Sequence, residues 1–176
     1  VTTEREIEAP RGLSPEGPPG GSVGFLLSSL GFVASRALQE ALAPLGLDPR
    51  QFGALNLVAN AEGISQRAMT EPLGIPASRL VAVVDELEHA RLIERRRNPS
   101  DRRAYALYLT AKGREMLSQA RRVAHRNEQQ FSAPLAAGER EQLLGLLRRL
   151  AEGHELRSGV HPGLASGRRP SPTTAH

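Results

Sequence analysis

A mainly α-helical fold with one small β-hairpin is predicted for this chain of 176 residues. Three observations predict it. Apolar residues recur at three- and four-residue steps over most of the chain. Between Ser65 and Ala90 a short helix, a glycine turn and a second helix follow one another. Directly after them, Ile93 to Thr110 reads as two extended runs around a turn-forming, arginine-rich tip. In that order the elements make a winged helix-turn-helix, with long helices expected on either side of it.

Composition narrows the function classes. There is no Cys, which excludes a disulfide framework, a thiolate metal site and a thiol redox switch. Trp is absent too, so the core must be built from Leu, Ala and Val. No apolar run is long enough to span a membrane and no signal-peptide core is present, so a cytoplasmic protein without a membrane partner is expected. The formal net charge is +4, and Lys112 is the only lysine. A moderate arginine excess fits an anionic partner without proving one.

Residues 1–22 are rich in Pro, Gly and Glu and read as a disordered arm. A first helix is expected over about 23–43, on the repeat Leu26, Leu27, Leu30, Val33, Ala34, Ala37, Ala41, Leu42, with Pro44 and Gly46 ending it. Asp48-Pro49-Arg50-Gln51 starts a second helix, to about Asn60: Asp48 can cap, Pro49 fits the first turn and Gln51 can close a capping box. Phe52, Leu55, Val58 and Ala59 are its inward residues. Glu62-Gly63 turns, and Ile64 can add a strand residue to the later hairpin. Ser65 caps a third helix, about Gln66 to Leu73, which Gly74 breaks. Pro76 opens a fourth, to about Ala90, that buries Leu80, Val83, Val84 and Leu87.

The hairpin carries Arg95, Arg96, Arg97, Arg102 and Arg103 against only Glu94 and Asp101. Such a ribbon suits phosphates and a narrow minor groove; an edge hairpin protected by charge is the plainer reading. Tyr105, Leu107 and Leu109 alternate onto one face, available to a core. A fifth helix is expected over about 111–133, ended by Pro134. A sixth, over about 138–156, carries Leu143, Leu144, Leu146, Leu147, Leu150 and Ala151, more leucine than one face of a small domain needs. A homodimer interface accounts for the surplus. Residues 158–176 read as a disordered tail.

The runs Pro44 to Phe52, Ile64-Ser65-Gln66-Arg67, Val84-Asp85-Glu86-Leu87-Glu88, Asp101-Arg102-Arg103 and Leu109-Thr110 with Gly113 resemble the multiple-antibiotic-resistance regulator (MarR) family over about Val23 to Leu156. The resemblance implies a winged-helix domain over 23–157. A DNA-binding lobe would occupy about 48–110, and dimerisation helices about 23–43 and 111–157. It implies a homodimeric transcriptional regulator, typically a repressor, on a palindromic double-stranded DNA operator. Recognition helix 76–90 would sit in the major groove and wing 93–109 in the minor groove. Release by a small aromatic or acidic effector is the family's usual regulation.

On that resemblance Arg102 enters the minor groove and Asp101 holds an arginine, Arg103, in place. Ser78 and Arg79 reach bases or phosphates. Ser65 and Gln66 offer donors to phosphate, and Arg95 and Arg97 are phosphate candidates. Ala82 stands where several relatives carry a base-reading arginine. With Ala77 and Val81 beside it, direct readout would rest on Ser78, Arg79 and apolar contact with thymine methyls. Pro72 late in the third helix is expected to shorten or kink it, and Arg91 replaces a glycine that commonly ends the fourth, so that turn must use another geometry or accept strain of roughly 1 kcal/mol. Phe32, Arg36 and Phe52 are candidates for an effector pocket, or simply core phenylalanines and a surface arginine.

No Cys means no peroxide-sensing thiol, and no Trp sets the chain apart from the urate-responsive branch. No cofactor, metal site or catalytic constellation is expected. The five histidines are scattered, and Glu86 and Glu88, two apart on a helix, diverge. A second class stays open: a winged-helix protein-interaction module that has lost DNA binding.

Overall fold

The computed structural model describes residues 21–74, 76–97 and 105–156. The expected tail and nearly all of the expected arm lie outside them, as do Asp101, Arg102 and Arg103 at the wing tip. Residues up to Ala37 belong to one unit and those from Leu38 to another.

Helix α1, Val23–Leu42, begins where Ser22 Oγ accepts the Phe25 N–H at 3.2 Å. Within the first unit its apolar residues Leu26, Leu27, Leu30 and Val33 are exposed. In the second unit, its last turn sends Leu38 and Leu42 into the core. A 3-10 turn, Ala43–Leu45, follows, and Gly46 at φ 69° reverses the chain, a backbone state that costs glycine nothing.

Helix α2, Pro49–Asn60, has the expected capping box. Asp48 Oδ1 accepts from Gln51 N at 2.8 Å, and Gln51 Oε1 accepts from Asp48 N at 3.0 Å. Leu55 and Val58 are buried as read from the sequence; Ala54 joins them, while Phe52 and Ala59 are only half-buried. Strand β1, Ile64–Ser65, leads into α3, Gln66–Leu73, where Ser65 Oγ accepts the Ala68 N–H at 3.2 Å. Pro72 does not break α3; the helix ends one residue later, and Gly74 turns at φ 60°. Helix α4, Ala77–His89, buries Leu80, Val83, Val84 and Leu87, the four residues its spacing predicts.

Strands β2, Ile93–Arg97, and β3, Tyr105–Leu109, pair antiparallel in the register Ile93↔Leu109 to Arg97↔Tyr105. β1 adds to the other edge of β3 through Ile64↔Leu107 and Ser65↔Ala106, giving the order β1-β3-β2. The alternation needs one correction. Leu107 and Leu109 are buried, but Tyr105, at the far end of the ribbon from the core, is 54% exposed. Ala106 on the opposite face is buried instead, because β3 is the central strand with a neighbour on each edge.

Helix α5, Ala111–Phe131, and α6, Ala137–Gly153, are each slightly displaced from their expected limits. Ser132 ends α5 with its hydroxyl donating to Glu128 O at 2.8 Å. α6 buries no residue: Leu143, Leu144, Leu146 and Leu150 are all exposed.

The hairpin is anchored at one junction. The end of α4 closes through Leu92 N to Leu87 O and Arg91 N to Glu88 O, both 2.9 Å. This paired closure requires a left-handed residue, and Arg91 supplies it at φ 58°. Of the two outcomes open to a non-glycine residue here, another geometry or strain, the turn takes the strain. Thr110 N donates to Leu92 O at 3.1 Å, and its hydroxyl donates to Arg91 O at 2.7 Å while accepting the Gly113 N–H at 2.9 Å. Gly113 is buried against this turn; a Cβ there would lie 1.8 Å from Leu92 O. The Thr-x-x-Gly spacing thus docks the start of α5 onto the exit of α4.

Two stability predictions follow from the junction. Gly113→Ala must displace backbone rather than a side chain, so urea unfolding should show a loss of at least about 3 kcal/mol. Arg91→Gly should gain roughly 1 kcal/mol by relieving the left-handed strain; an unchanged or lower unfolding midpoint would contradict that.

Candidate nucleic-acid interface

The buried face of α4 fixes which residues look outward. Ala77, Ser78, Arg79, Val81 and Ala82 are exposed. The helix starts without a side-chain cap, its first turn closing through Arg79 N and Leu80 N to Pro76 O at 3.0 and 3.1 Å. The outward surface is therefore a mostly apolar strip with Ser78 and Arg79 at its beginning. Ser65 has a structural duty as the cap of α3.

Alternation along β2 sorts the wing arginines. Ile93, Arg95 and Arg97 share one face, with Ile93 buried, Arg95 half-buried and Arg97 exposed. Arg95 is turned toward α4. Its guanidinium forms ion pairs with both Asp85 and Glu88, and its backbone N–H points at Glu88 Oε1 at 3.4 Å. Gln66 Oε1, from α3, lies 3.5 Å from the same terminal nitrogen that meets Asp85. One side chain thus touches α3, α4 and, through its own backbone, the sheet. Burial lowers the Arg95 pKa, but the Asp85 hydrogen bond and the charges of Glu88 and Asp85 outweigh it, leaving a net rise above the ordinary value.

On the opposite face, Arg96 pairs with Glu94 and lies over the Tyr108 ring, 4.5 Å from its centroid. Glu86, two residues from Glu88, faces elsewhere and accepts from Gln51 Nε2 at 2.9 Å. The two carboxylates diverge as their spacing requires. Of the sequence-predicted residues, the structure brings Gln66 and Arg95 together and groups Ala77, Ser78, Arg79 and Ala82 on one exposed strip. The roles of Asp85 and Glu88 were missed, although their spacing of three places them on one face of α4.

A separate groove of about 440 Å³ runs along α5. Ala59, Leu109 and Leu117 give it an apolar floor, and Arg114, Arg121 and Arg122 rise beside them. Arg114 pairs with Glu62 at 2.6 Å, whereas among the described residues Arg121 and Arg122 meet neutral acceptors alone, Asn56 Oδ1 at 2.9 Å and Ser118 Oγ at 2.8 Å. None of the expected effector residues lines it. Phe32 is 70% exposed, Arg36 is exposed, and Phe52 packs half-buried against the core of the second unit. Among the described residues no helix is long and apolar enough to cross a membrane, and no cluster of three or more His, Asp or Glu could hold a metal.

A short helix, a longer helix with an exposed first half and a basic antiparallel ribbon define a winged helix-turn-helix protein. The comparisons with known proteins agree. The MarR family profile matches residues 45–104. The chain is 36% identical over 135 residues to the protein assigned as transcriptional regulator for the hcr operon of Thauera aromatica, covering 76% of this chain and 81% of that one. The repressor CouR bound to a 23-mer DNA duplex superposes with a TM-score of 0.70 at 33% identity, over 80% of this chain and 99% of that one. CouR from Rhodococcus jostii RHA1 bound to p-coumaroyl-CoA gives 0.65 at 31% identity, over 76% and 94%. The chain belongs to the MarR family of winged-helix transcriptional regulators.

Proposed function

We propose that this chain is a homodimeric, sequence-specific repressor of nearby genes that binds a palindromic operator. The observation that carries this reading is the exposed strip Ala77, Ser78, Arg79 and Ala82 on α4, held next to a basic hairpin in a fold shared with a DNA-bound relative. In this reading α4 enters the major groove and the wing, with Arg102 at its tip, the minor groove. The exposed leucines of α6 and the apolar residues of α1 supply the dimer surface. The strip offers few hydrogen-bond donors, so shape readout through the wing carries much of the specificity. The same scarcity favours the second reading, a protein-interaction module without DNA affinity.

Selection from a random DNA pool separates the two. The expected outcome is an enriched inverted repeat with half-sites about one helical turn apart, bound with an affinity that falls steeply with salt. No enrichment and no low-salt binding by the folded protein would favour the interaction module.

An acidic, partly apolar effector fits the second part of the proposal. The groove on α5 combines an apolar floor with two guanidiniums that face no carboxylate among the described residues. CouR's p-coumaroyl-CoA illustrates such chemistry in a relative. In a titration with p-coumarate and p-coumaroyl-CoA, Arg121→Ala/Arg122→Ala should weaken binding about tenfold or more. Equal affinity of wild type and variant would place the effector elsewhere.

A further inference from the structure

We propose that Arg95 is a positioning residue rather than a phosphate contact: it latches the wing to the recognition helix, so that the spacing between the two DNA-reading elements is set by the Arg95–Asp85–Glu88 cluster. The inference rests on the DNA-binding reading above and concerns how that surface is held.

Four observations carry it. Arg95 lies on the inward face of β2, in phase with the buried Ile93, so its stem follows the core and its head emerges at the side of α4. Its head is occupied: both terminal nitrogens are engaged, one by Glu88 and the other by Asp85. The side chain is only 21% exposed, against 58% for its neighbour Arg96. Finally, the acids come from consecutive turns of the same helix, and Gln66 adds a third element. A planar guanidinium meeting two carboxylates fixes direction as well as distance, which a surface lysine would not.

The base of the hairpin is pinned at Thr110 and Leu92, and the ribbon extends from there toward the tip. β1 holds the β3 edge through Ile64↔Leu107 and Ser65↔Ala106, and on the β2 edge Arg95, opposite Leu107, adds its ion pairs to the side of α4. Arg95 sits two residues along β2 from Ile93, far enough out to act as a lever.

The test exploits a difference in sign. Asp85→Ala/Glu88→Ala removes two negative charges beside the DNA surface and leaves Arg95 free to reach a phosphate. Electrostatics alone would then tighten operator binding. The latch requires the opposite, a loss of about tenfold, measured where circular dichroism shows both proteins fully folded. Arg95→Ala should lose a similar factor, and the triple variant should be no worse than Arg95→Ala alone. The slope of log affinity against log salt should stay at its wild-type value in Arg95→Ala, whereas loss of a phosphate contact would lower it by about one. Tighter binding in the acid variant, or a reduced slope in Arg95→Ala, overturns the latch. Amide exchange of the free protein tests it without DNA. The β2 amides should exchange about tenfold faster in either variant, with α2 unchanged. Unchanged β2 exchange overturns the latch even if no operator is found, and faster exchange sustains it if the DNA reading fails.

Discussion

The contact between Gly113 and the carbonyl of Leu92 is the constraint from which the rest of the second unit takes its order. With no side chain at Gly113, the first turn of α5 lies directly against the turn that ends α4. Thr110 then serves both sides at once, capping α5 and bonding the Arg91 carbonyl. The two ends of the hairpin are thereby brought to one point, and β3 is delivered to the centre of the sheet. Leu87, Leu92, Leu107, Leu109 and Leu117, from the elements that meet here, all belong to the one buried core. The backbone strain at Arg91 is the local cost of the arrangement, offset by the paired closure of α4 and by Lys112 Nζ donating to Ala90 O at 2.9 Å.

Much of this was legible in the sequence because the signals were local. The Asp48–Gln51 box, the buried face of α4 and the capping role of Ser65 each depend on residues within a few positions of one another. The alternation of β3 failed at Tyr105 and Ala106 because burial there depends on how far the ribbon projects and on which strands flank it. Pro72 is accommodated one residue before the end of α3, where it removes one hydrogen bond that the last turn can lose.

The wing was legible in outline but not in its division of labour. Five arginines on one hairpin read as a single basic surface. In the structure the three described ones are not equivalent: Arg95 is drawn inward by Asp85 and Glu88, Arg96 is taken up by Glu94 and Tyr108, and Arg97 is exposed. The period of two along β2 and the spacing of three along α4 held the clue, but the partners lie seven and ten residues apart in different elements. The groove on α5 was missed for a related reason. Arg114, Arg121 and Arg122 look like a solvated helix face until Ala59 and Leu109 are placed beneath them by tertiary packing.

The cluster around Arg95 also bears on how such a protein can change over generations. One guanidinium serves two acids on one helix and faces an amide on another, so altering any partner leaves the others unmatched. Residues bound this way diverge together or not at all. Ala77, Ser78 and Ala82 carry no such obligation: their side chains are exposed and the buried face of α4 does not depend on them. A lineage can therefore acquire new preferences by substitution along that strip while the frame that presents it stays fixed.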